Sequence, residues 1–75
     1  MNKKLFEEYG KQFEIAYTIN ALRKQKKISQ ATLAKKIGTT QSNIARIEAG
    51  NQNLTTSMLL KIARAFDKDL QIRFV

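Results

Sequence analysis

Two glycines frame the middle of this sequence. Gly38 and Gly50 each follow a short run of apolar residues at helical spacing, and each run opens on a residue that caps helices. Ser29 opens the first, because its hydroxyl can accept from a backbone N–H that the first helical turn leaves unpaired. Leu33, Ala34 and Ile37 then line one face. Gly38 ends the run, since glycine enters the left-handed conformation at little cost. Thr40 opens the second run, Ile44 and Ile47 line its inner face, and Gly50 ends it in the same way. Only Gly38-Thr39-Thr40 separates the two helices, so the chain must turn sharply between them.

The flanks extend this pattern. Ile15, Ile19 and Leu22 predict a helix running to about Lys26. Upstream, Phe6, Tyr9, Phe13 and Tyr17 make an aromatic stripe at helical spacing, with Gly10 as a point where the helix kinks or begins. Phe13 and Tyr17 are expected to pack on the last helix, and Phe6 and Tyr9 to serve an interface. After Gly50, Leu54 is expected to fold back under the loop. Thr55 or Thr56 then caps a helix whose core face is Leu59, Ile62, Ala63 and Phe66. Asp67-Lys68-Asp69 reads as a turn. Beyond it Leu70, Ile72 and Phe74 alternate with Gln71 and Arg73, the period of a half-buried strand. A lone strand needs a partner for its backbone groups. The expected partner is a second copy of the chain or another protein. The reading divides into residues 1–18, an aromatic helix leading into helix one; 19–66, the central domain; and 67–75, the turn and strand.

A chain of 75 residues makes one domain. A core that small supplies roughly 3–5 kcal/mol unless a disulfide, a metal or a partner adds to it. With no cysteine and no histidine, disulfides, thiolate metal sites and the commonest general base are excluded. A partner subunit remains. The net charge is +8, and residues 20–50 hold Arg23, Lys24, Lys26, Lys27, Lys35, Lys36 and Arg46 against Glu48 alone. Such a surface suits a polyanion, although a merely soluble, Lys-rich face has the same composition. No apolar run approaches the roughly 18 residues of a membrane span, and no signal peptide opens the chain, so a cytoplasmic protein without a membrane is expected. Glu7, Glu8 and Glu14 read as a solvated face, not a catalytic pair, and weigh against acidic lipid. An enzyme is not expected, nor any cofactor or metal. RNA ranks low, for want of a stacking sheet or a Gly-x-x-Gly loop.

Two short helices joined by a three-residue turn containing glycine make a helix-turn-helix. At 100° per residue, Gln41, Ser42, Ala45, Arg46 and Ala49 share an arc of about 140° opposite Ile44 and Ile47. That face is small, polar and cationic. Glutamine can pair bidentately with adenine, arginine with guanine, and alanine can rest on a thymine methyl. Gln30 and Gln41 stand at helix starts, where backbone N–H groups favour phosphate. The alternative for these side chains is an ordinary solvated face.

The run from Ile28 to Gly50 closely resembles the lambda-repressor-like, XRE-type family, with Ser29-Gln30, Leu33-Ala34, Gly38, Thr40-Gln41-Ser42, Ile44 and Glu48-Ala49-Gly50 in register. The likeness extends over Ile19 to Phe66. It implies an all-α, lambda-repressor-like bundle of about four to five helices, here with a short C-terminal β-strand. It implies that Gln41, Ser42, Ala45 and Arg46 read bases and that Arg23, Gln30, Thr40, Asn43 and Asn51 hold phosphates. It also implies an ion pair between Arg23 and Glu48. The proline usual after the helix-three loop is absent, Leu54-Thr55-Thr56 standing there. Size and tail further resemble the HigA-like antitoxins of type II toxin–antitoxin pairs. That likeness implies an autoregulating repressor with an RNA-cleaving toxin as partner. The alternatives are a stand-alone phage-type or chromosomal repressor and a protein-interaction module with non-specific DNA affinity. A homodimer, with Phe6, Tyr9, Leu70, Ile72 and Phe74 as candidate interface, would read a near-palindromic operator in double-stranded DNA.

Overall fold

The computed structural model describes the backbone of residues 3–51 and 54–75; the side chains of residues 1–9, 11 and 12 lie outside it. Four helices follow one another: α1 (Lys3–Gln25), α2 (Gln30–Ile37), α3 (Gln41–Glu48) and α4 (Thr56–Ala65). Ser29, Thr40 and Thr55 cap the last three, each accepting from the backbone N–H three residues on, at 3.0–3.1 Å. Thr55, not Thr56, is the cap of α4.

All four helices stop in the same way. A residue in the left-handed region follows each helix: Lys27, Gly38, Gly50 and Asp67. The next N–H then reaches back five residues to a carbonyl of the last turn. These bonds are Ile28 to Arg23, Thr39 to Ala34, Asn51 to Arg46 and Lys68 to Ala63, at 2.9–3.1 Å. This closure satisfies carbonyls that the last helical turn would otherwise leave unpaired. Lys27, at φ 57°, and Asp67, at φ 55°, carry a Cβ in that region, which is disfavoured by about 1–2 kcal/mol and less so for the short polar aspartate. Lys27→Gly is expected to raise stability by about 0.5–1 kcal/mol, the rest being offset by glycine's greater freedom when unfolded. Chemical denaturation measures it, and an unchanged or lowered midpoint counts against the closure.

The core is Ile19, Leu33, Ala34, Ile37, Ile44, Ile47, Ile62 and Phe66, with Ile28, Leu54 and Met58 packed at its edge. Leu33 and Ile44 are fully enclosed. α2 is the central helix, packed on both α3 and α4, while α1 packs on α3.

Four expectations are corrected. The N-terminal aromatic segment and helix one are a single helix, and Gly10 lies inside it with open space where a Cβ would stand. Phe13 and Tyr17 do not pack on α4; they are 56% and 76% exposed. They project from the side of α1 opposite Ile15 and Ile19, and α1 itself lies on α3. On α4 Ile62 and Phe66 are buried and half-buried Met58 and Ala65 pack against the core beside them, whereas Leu59 and Ala63, also half-buried, line a cleft on the other edge. The helix is turned toward α2, so its other apolar edge faces away. Finally, residues 68–75 form no strand. No described residue lies in a strand or bridge, so the ladder groups of Leu70, Ile72 and Phe74 have no strand to pair with. Phe6 and Tyr9 fall on side chains outside the described residues.

Candidate DNA interface

The recognition surface is built from α3. Its inner face is fixed by Ile44 and Ile47, at 0% and 2% exposure. On the outer face Gln41, Ser42, Ala45, Arg46 and Ala49 are all exposed. No carboxylate shares that face. Arg46 has no side-chain partner among the described residues, so its guanidinium fork is free to meet a base edge or a phosphate.

The expected phosphate contacts divide into two groups. Thr40 accepts from the Asn43 N–H at 3.1 Å and keeps its own O–H to donate outward. Asn43 gives one amide hydrogen to Thr39 Oγ1 at 2.9 Å and keeps the other. Asn51 is exposed just past α3. These three present polar groups toward the surface. Arg23 and Gln30 are instead engaged within the fold.

Glu48 is the centre of that engagement. Arg23 meets it with two bonds, Nε to Oε2 at 2.9 Å and Nη2 to Oε1 at 3.0 Å. Arg23 Nη1 also donates to the Ile28 carbonyl at 3.0 Å. The two side chains are 14% and 5% exposed. Asn20 Nδ2 adds a bond to Oε1 at 2.6 Å, and Gln30 a fourth donor. Burial works against ionisation of Glu48, but the donors from Arg23, Asn20 and Gln30 outweigh it and hold the carboxyl below its usual range. The bond to Glu48 outweighs desolvation at Arg23 and raises its pKa. One carboxylate at the end of α3 thus ties α1 and α2 to the recognition helix. Arg23 and Glu48 follow from the family likeness. Asn20 was not foreseen; its place one turn before Arg23 on the same face of α1 is the available signal.

A second brace was not foreseen either. The Phe13 ring lies where a Cβ on Gly50 would stand, its nearest carbon 2.5 Å from that position. Gly50, at φ 76°, therefore ends α3 and also admits the α1 aromatic against the helix end.

A helix-turn-helix family model matches residues 19–72. That span contains α2, α3, α4 and the last third of α1, and leaves out Phe13. The chain belongs to the XRE-type helix-turn-helix family. As a member it is a DNA-binding transcriptional regulator acting on double-stranded DNA. Among solved structures, the restriction-modification controller protein C.AhdI from Aeromonas hydrophila is similar, at 31% identity and a TM-score of 0.77, over 81% of this chain and 88% of that one. No curated protein matches the chain. Among the described residues of this helix-turn-helix protein, no helix is long and apolar enough to cross a membrane.

Proposed function

We propose that this chain is a homodimeric, sequence-selective regulator that binds a near-palindromic operator beside its own gene, acting by binding alone. The carboxylate-free outer face of α3, locked from behind by Ile44, Ile47 and Glu48, carries the reading. Gln41, Ser42, Ala45 and Arg46 read base edges, while Thr40, Asn43 and Asn51 hold phosphates and set the register. A twofold dimer places two such helices about 34–36 Å apart, one turn of DNA. Likeness to a restriction-modification controller favours a regulator of its own operon. The antitoxin reading leaned on a C-terminal strand, and residues 68–75 form none unaided. A controller-type regulator is therefore preferred to a toxin's partner.

The test is binding to a duplex from immediately upstream of the gene, titrated with salt beside a scrambled duplex. Selective binding that weakens as salt rises is expected. Arg46→Ala should cost about 2 kcal/mol, roughly 30-fold, on the operator and relax the preference at one base pair. An equal loss on both duplexes would reduce Arg46 to a phosphate contact.

A further inference from the structure

α1 packs chiefly on α3 and α4 chiefly on α2, and the two helices together line an opening. Between them lies a cleft of about 310 Å³. Buried Ile19 and Ile62 form its floor, Ile15, Leu22 and Leu59 its walls, and Leu70 one end. It lies on the side of α1 turned away from Phe13 and Tyr17, apart from the DNA-reading face.

The C-terminal segment runs past this opening without entering it. Leu70 is half-buried at the rim, but Ile72 is 62% exposed and Phe74 97%. One chain therefore displays an empty apolar cleft and an uncovered apolar segment a few residues apart. We propose that the cleft of one copy receives Ile72 and Phe74 of a second, and that the exchange is reciprocal. The dimension suits it: Ile72 and Phe74 stand about 7 Å apart on an extended chain, against about 10 Å of α1 between Ile15 and Leu22. The alternation suits it too, since Leu70, Ile72 and Phe74 share one edge while Gln71 and Arg73 turn to water. A twofold exchange fills both clefts with the same contact. With the cleft walls counted and the contact doubled, the area covered is on the order of 900 Å², the range of weak, reversible association.

The inference rests on the dimeric reading above but can fail separately from it. The protein has no cysteine, so single-cysteine variants carry the only thiol. Thr18 lines the cleft and is exposed, and Val75 is exposed beside Phe74, so neither change disturbs the core or removes an inserted side chain. Thr18→Cys and Val75→Cys proteins, mixed and oxidised, should form a mixed disulfide dimer at least 10-fold faster than either forms with itself. Preferential Val75→Cys self-linkage would mean that the segments pair with each other and not with the cleft. A wild-type chain that sediments as a dimer while the mixture yields no disulfide would place the interface elsewhere and leave the operator reading standing. A wild-type chain that stays monomeric at every concentration would overturn both.

Discussion

Glu48→Ala should lower the stability of this domain at neutral pH by about 3–5 kcal/mol, close to all that a core of this size supplies. The change removes no large apolar group. It leaves the Arg23 guanidinium, 14% exposed, without its carboxylate, and Asn20 and Gln30 without their acceptor. Losing one partner of an enclosed pair costs far more than the pair contributes relative to apolar replacements. At about 4–8 °C per kcal/mol in a chain this short, a melting point lower by about 12 °C or more is expected. Circular dichroism at fixed protein concentration measures it, and a fall under 5 °C would show that the network is dispensable.

The pH dependence has a definite sign. The carboxyl of Glu48 is held below its ordinary pKa in the folded chain. Its contribution is therefore complete above the ordinary glutamate value of about 4.3 and disappears as pH falls through the lower folded value. Glu48→Gln keeps the shape but not the charge. The gap between wild type and Glu48→Gln should be constant from pH 6 to 8 and should narrow below about pH 4. A gap that stays constant down to pH 2 would contradict the lowered value.

Gly50→Ala is the second large effect, about 2 kcal/mol. The left-handed backbone accounts for about 1 kcal/mol, once glycine's greater freedom in the unfolded chain is set against the strain. The remainder comes from displacing the Phe13 ring, which occupies the space a methyl group would need. Phe13 separates the two contributions. In a Phe13→Ala background the ring is already gone, so Gly50→Ala should cost only the backbone part. A double-mutant cycle by urea denaturation would show a coupling of about 1 kcal/mol. Additive losses would mean that the ring and the helix end are independent. Since Gly50 closes the recognition helix, the cycle also reports how firmly α1 holds that helix.

Local chemistry in the sequence determined where α2 and α3 begin and end. Ser29, Thr40, Gly38 and Gly50 act through bonds within five residues, so their roles can be read without knowing the fold. The outer face of α3 was legible for the same reason, because a helix of known phase has a known back. The family likeness supplied Arg23 and Glu48, residues 25 apart whose pairing no local rule gives. Tertiary structure decided the rest. Which edge of α4 is buried depends on its lying against α2, and amphipathic spacing alone could not choose between Met58 and Leu59. Phe13 meets Gly50 because α1 crosses the end of α3, a contact between residues 37 apart in sequence. Alternation at Leu70, Ile72 and Phe74 fixes which side chains share an edge. A ladder needs a second backbone alongside, and that is a property of the surroundings, not of the six residues from Leu70 to Val75.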